Sequence, residues 1–161
     1  MISHPIDPVY DQHSKVLILG SFPSVKSRAE QFFYAHPQNR FWRVLAAVFG
    51  CEVPATIEDK RAFLLHHRIA LWDVIASCEV TGSADASIKN VTANDMRRIL
   101  DSASIEAIFV NGKTAQKYYN RYLKPVLQRS AVCLPSTSAA NAGWSMEQLI
   151  NVWHAVREIT T

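Results

Sequence analysis

KVLILGSFPSVKSRAEQFFYAHPQNRFW, Lys15 to Trp42, sets the reading of the rest of the chain. Val16, Leu17, Ile18 and Leu19 form an unbroken apolar run. A strand carries such a run when both its faces are covered, as in a parallel sheet between helices. The run breaks at Gly20-Ser21-Phe22-Pro23, and a polar linker follows. Phe32-Phe33-Tyr34 then precedes His36-Pro37-Gln38-Asn39-Arg40 and a helix led by Phe41 and Trp42. Strand, glycine turn, aromatic cluster and amides in close succession make a pocket for a flat heteroaromatic ring. Open α/β sheets place ligands at such strand ends.

Outward from this stretch, strands and helices alternate. Trp42, Leu45 and Phe49 share one face of a helix over 40–50, which Gly50 can close. Thr56 with Asp59 resembles a capping box opening a helix to about His67, and Ile69–Ile75 reads as a second strand. Residues 78–91 lack periodicity and read as a loop, while Thr92 with Asp95 marks a helix to about Ser102. A third strand is expected over 105–110 and a helix over 114–122. A short fourth strand over 131–134 precedes a loop over 135–144, and Ser145 with Gln148 caps a last amphipathic helix. The order predicts a three-layer α/β/α sandwich with a central four-stranded parallel sheet, in one domain spanning 1–161. The loops after its strands would gather on one edge.

Composition narrows the class. Of 161 residues, 48% are apolar and 19% charged, which speaks against disorder. A net charge of +3 permits phosphate contact without demanding it. No apolar run has the length of a membrane span, and the N-terminal residues lack an apolar signal core. Cys51, Cys78 and Cys133 match no metal or disulfide spacing; they are expected to be small apolar fillers in a cytoplasmic protein.

Several residues carry two readings. Gly20–Pro23 is neither a dinucleotide fingerprint nor a P-loop, and alone it is an ordinary turn. Tyr34 is either core or a stacking platform for a base. Asn39 is placed to cap the following helix, yet its amide can also donate and accept on a purine edge or position a water. His36 is a candidate acid or base and equally a surface loop residue. Asp73, ending the second strand, is a candidate base or a structural acceptor. Lys113 opens a helix after Asn111-Gly112, where backbone N–H groups favour anions. Ser136, Thr137 and Ser138 offer hydroxyls to a phosphate backbone, or form a plain polar loop.

Together GSFPS at 20–24, YAHPQNRFW at 34–42, NGKTA at 111–115 and LPSTSAAN at 134–141 resemble the uracil-DNA glycosylase superfamily over most of the chain. The HPxNRFW signature is similar to the mismatch-specific uracil/thymine branch. GSFPS, PQNRFW and the loop Gly82–Ile88 are more similar to the hypoxanthine-DNA glycosylase branch. Many members hold a catalytic Asn or Asp in the first turn, where Phe22 stands here, and several begin the last motif with histidine, where Leu134 stands. In the hypoxanthine branch the first-turn carboxamide is also missing and the asparagine of PQNRFW is the key residue, which carries over to Asn39.

The resemblance implies excision of hypoxanthine from a deoxyinosine flipped out of double-stranded DNA, with no metal or redox cofactor, by a monomer. Gly20, Ser21, Phe22, Pro23, Tyr34 and Asp73 would form the base pocket. Lys113, Ser136, Thr137 and Ser138 would grip phosphates, and Ala140 and Asn141 would lie where the family wedges the stack. A uracil/thymine mismatch glycosylase, a catalytically weak DNA-binding module and a small-nucleotide hydrolase are the competing readings.

Overall fold

In the computed structural model, which describes residues 1–161, the elements in chain order are β1 (Ile2–Ser3), β2 (Val16–Gly20), α1 (Val25–Glu30), α2 (Phe41–Phe49), α3 (Ile57–His66), β3 (Ile69–Asp73) and β4 (Ile75–Glu79). After these come β5 (Lys89–Ala93), α4 (Arg97–Leu100), β6 (Ala107–Asn111), α5 (Lys113–Tyr118), α6 (Lys124–Leu127), β7 (Val132–Leu134) and α7 (Met146–Thr160). Four strands form a parallel sheet in the order β3-β2-β6-β7. Every residue of β2 and β3 is buried, which is why Val16–Leu19 shows no alternation. Helices flank this sheet, so the expected three-layer arrangement is the one the chain adopts.

Local chemistry fixes the helix ends. Gly50 closes α2 at φ +67°, a left-handed conformation that costs glycine little. The Thr56 side chain accepts from the Asp59 N–H at 3.0 Å to open α3. Ser145 and Gln148 form a reciprocal capping box on α7. Helices α2 and α7 pack together, with Phe41 meeting the edge of Trp153 at 5.9 Å between ring centroids. The Trp153 indole donates to the Pro135 carbonyl at 2.9 Å, anchoring the loop after β7 to this helix pair. No helix is long and apolar enough to cross a membrane.

The structure departs from the sequence-based expectations in three places. The polar linker after Pro23 contains α1, capped by Ser24 and closed at Gln31. Within the expected loop over 78–91, residues 80–88 are loop with a short 3-10 turn, but its two ends and the start of the expected 92–102 helix are strand: β4 runs through Glu79 and β5 takes Lys89–Ala93. β4 and β5 pair antiparallel, and β1 joins them in a second, three-stranded sheet. Thr92 lies within β5, and only Arg97–Leu100 is helical. Pairing with distant strands overrides a local capping pattern here. Cys51 is exposed rather than a core filler, while Cys78 is buried.

The Trp153→Phe variant keeps the ring packing and removes the donor to Pro135. It is expected to lose about 1–2 kcal/mol of stability, read as a lower denaturation midpoint with an unchanged slope.

Candidate active site

The carboxyl ends of β2, β3, β6 and β7 deliver Gly20, Asp73, Asn111 and Leu134 to one edge of the sheet. A cavity of about 280 Å³ opens there. Its walls include Gly20, Ser21, Phe22, Pro23, Tyr34, Asn39, Asp73 and Ser136–Ser138. This volume lies near the low end of small-ligand pockets, which span about 300–1,000 Å³. A second cavity of about 650 Å³ adjoins it, sharing Ser21, Asn111, Ser136 and Ser138 and adding Lys113, Ala140 and Asn141. The two hollows thus share a wall, Ser21, Ser136 and Ser138 lining both, while Lys113, Ala140 and Asn141 lie only on the second.

Asn39 is fixed by its oxygen. Oδ1 accepts from the Phe41 N–H at 3.0 Å and from the Thr137 hydroxyl at 2.9 Å. A backbone N–H can only donate, so the carboxamide has one orientation. Nδ2 has no partner in the protein and is the free end of the amide at the cavity wall. The oxygen holds the Phe41 N–H at the start of α2, as the capping reading expects, and the amine is the end without a protein partner.

Thr137 departs from its expected role. It is 0% exposed, and its hydroxyl accepts from Asn111 Nδ2 at 3.0 Å while donating to Asn39. A phosphate oxygen cannot reach it. Asn111 in turn accepts the Thr137 N–H at 3.1 Å and donates a second bond to the Tyr34 hydroxyl at 3.1 Å. Asn111 Nδ2 thus donates both ways, to Tyr34 on one side and through the Thr137 hydroxyl to Asn39 on the other, so one network reaches from Tyr34 to the α2 N-terminus.

Arg40 ties the same two motifs together. Its backbone N–H donates to Thr137 O at 2.9 Å, and its guanidinium donates to the carbonyls of Ser138, Asn141 and Trp144. The loop after β7 is thereby clasped against the start of α2. Asn141 spends an amide proton on Ser136 O at 3.0 Å. Ala140 and Lys113 are exposed, and Ser136 and Ser138 are partly so. His36 stands exposed at the cavity rim, its Nδ1 accepting from the Gln38 N–H.

Tyr34 takes φ +52°, at a cost of about 1–2 kcal/mol for a non-glycine residue. Its ring stacks on Phe41 at 4.0 Å. Burial, reinforced by the charge of Asp73 and opposed by the Asn111 hydrogen bond, holds its hydroxyl protonated far above the usual tyrosine range. Gly20 is a close-approach glycine: a Cβ there would collide with Asp73 Oδ1 and lie 2.9 Å from the Tyr34 oxygen. Asp73 is held from behind by His4, whose Nε2 lies 2.7 Å from Oδ2. Sequence reasoning missed His4, because nothing local marks a partner 69 residues away.

A family model described as the uracil DNA glycosylase superfamily matches residues 8–159. A protein of Methanosarcina acetivorans named hypoxanthine DNA glycosylase is 33% identical, with 97% of this chain and 98% of that protein covered. A protein of Methanosarcina barkeri with the same name is 31% identical, with 83% and 85% covered. A solution NMR structure of a candidate uracil DNA glycosylase from Methanosarcina acetivorans superposes with a TM-score of 0.82 at 30% identity, over 100% of both chains.

Thr137→Val keeps shape and deletes the hydroxyl that links the two asparagines. The Asn111 amine then loses one acceptor and Asn39 Oδ1 one donor, an expected cost of about 1–3 kcal/mol. The same variant should broaden or shift the Asn39 side-chain amide signal in a 15N NMR spectrum; an unmoved signal would contradict the restraint described above.

Proposed function

The chain belongs to the uracil DNA glycosylase superfamily, and we propose that within it the protein removes hypoxanthine from deoxyinosine in double-stranded DNA, leaving an abasic site. The observation that carries this reading is the oriented carboxamide of Asn39, whose free Nδ2 points its donor capacity at a base-sized cavity. The names of the two Methanosarcina relatives support the choice of base.

The mechanism follows from charge. The target nucleotide leaves the stack at a cost of a few kcal/mol, less at a mismatched pair. As the glycosidic bond breaks, the sugar becomes oxocarbenium-like and negative charge builds on the departing base. Asn39 Nδ2 donates to that base and stabilises the charge as it forms. The N–H groups of Ser21 and Phe22, which have no acceptor in the protein, are the backbone donors at hand. Tyr34 supplies an aromatic wall. Water then adds to the sugar and the base departs protonated. Phe22 leaves the first turn without a carboxamide or carboxylate, so the donor set rests on Asn39 and the backbone.

The adjoining cavity is the place for the DNA backbone. Lys113, Ser136 and Ser138 meet phosphates there, while Ala140 and Asn141 stand where the wedge enters the vacated stack. The protein acts as a monomer in the cytoplasm, with its three thiols free, and residues 1–161 work as one domain.

A duplex panel carrying inosine, uracil, thymine or xanthine, scored for abasic sites beside free inosine, tests the substrate. Fastest release is expected from inosine in DNA. Faster cleavage of uracil opposite guanine would replace this reading with the mismatch one, and cleavage of free inosine alone would make the protein a nucleoside hydrolase. Asn39→Ala is expected to slow single-turnover excision about 100- to 1,000-fold; near-normal release would remove Asn39 from catalysis. Lys113→Ala should weaken binding to all duplexes alike and lower the salt slope by about one.

A further inference from the structure

We propose that Asp73 reads the identity of the base by accepting its ring N–H, and that His4 is the positioning residue that aims it. The inference rests on the hypoxanthine reading above and names the feature of the base that the pocket selects.

Asp73 ends β3 and faces the cavity with its side chain only 6% exposed. Its two oxygens are not equivalent. Oδ2 is taken by His4 Nε2 at 2.7 Å, whereas Oδ1 has no donor in the protein and occupies the space a Cβ of Gly20 would fill. The tautomer of His4 follows from its other nitrogen. Nδ1 lies 3.1 Å from the Ile6 N–H and must accept, so the ring proton sits on Nε2 and is donated to Asp73. The imidazole is 3% exposed and is packed by Phe22, Phe33 and Trp72, with centroids 5.9–6.4 Å away. It has little freedom to leave.

The N-terminal residues form a strap that brings His4 to this place. β1 pairs with β4, and the His4 N–H continues that ladder to Ala76 O at 2.7 Å. Val9 bridges to Leu71, and Trp72 donates to Ile6 O at 3.2 Å. From the other side, Asn94 donates to the carbonyls of Asp73 and Ile75, fixing the backbone that carries the carboxylate. The acceptor is thus held from both sides, by His4 at its carboxylate and by Asn94 at its backbone.

A rigid buried acceptor is selective because an unmatched lone pair facing it has no compensating bond. Deamination of adenine converts N1 from an acceptor to an N–H donor and the 6-amino donor to a carbonyl acceptor. Asp73 Oδ1 and Asn39 Nδ2 form an acceptor–donor pair complementary to the product edge and opposed to the parent edge. The carboxylate refuses the adenine N1 lone pair and accepts the hypoxanthine N1–H. A general-base role fits less well, since the free oxygen is packed beside Gly20 and Tyr34 instead of standing open at the rim.

The test compares deoxyinosine with deoxynebularine, a purine whose N1 is an acceptor and which lacks the 6-oxygen. In Asp73→Asn the amide oxygen keeps the His4 bond and the amine faces the base, so the polarity reverses. The ratio of kcat/KM for inosine over nebularine is expected to fall at least 100-fold relative to the wild type. His4→Phe, which keeps the aromatic packing and removes the donor, is expected to lower the same ratio at least 10-fold, and His4→Gln to restore much of it. Equal losses on both substrates in Asp73→Asn would assign the carboxylate a structural or general-base role and overturn the inference, as would a ratio unchanged in His4→Phe. Failure of the wild type to release hypoxanthine at all would overturn the hypoxanthine reading itself, a result distinct from wild-type activity with an unaltered ratio.

Discussion

The carboxamide oxygen of Asn39, held at once by the Phe41 N–H and the Thr137 hydroxyl, is the constraint on which the site depends. A buried polar group left unpaired costs free energy, so the two donors are matched to one acceptor, and the remaining amine has no protein partner. That single arrangement joins the start of α2 to the loop after β7. Arg40 repeats the junction one residue later through three carbonyls. Two segments about a hundred positions apart in the chain are thereby made into one wall.

The remaining walls show the same trade of local strain for placement. Tyr34 adopts a left-handed backbone so that its ring can lie on Phe41 and its hydroxyl can reach Asn111. Gly20 gives up a side chain so that Asp73 and Tyr34 can converge beside β2. Such strain persists only where surrounding packing over-determines it. Here the surroundings are the fully buried β2 and β3 on one side and the α2–α7 pair on the other.

Much of this was legible in the sequence. Val16–Leu19 announced a covered strand, and Gly50, Thr56 and Ser145 with Gln148 marked helix ends where they fall. The PQNRFW and LPSTSAAN segments named the elements that meet at the cavity. What stayed hidden depended on long-range pairing. The antiparallel sheet of β1, β4 and β5 is short and half exposed, and Thr92 with Asp95 imitates a helix start within it. Thr137 reads in sequence as one more hydroxyl in a polar loop, yet burial turns it from a phosphate contact into a brace for Asn39. His4 gave no signal at all, since its only significance is the carboxylate it meets across the fold.

Asn39 can serve the reaction either as a donor to the departing base or as an acceptor that positions water, and these roles require opposite polarity at its free end. Single-turnover excision by Asn39→Asp separates them. The carboxylate keeps both existing hydrogen bonds through one oxygen and offers a second acceptor in place of the amine. Loss of activity to the level of Asn39→Ala is expected if the amine stabilises the leaving base. Retention of near-wild-type rate by Asn39→Asp would contradict that account.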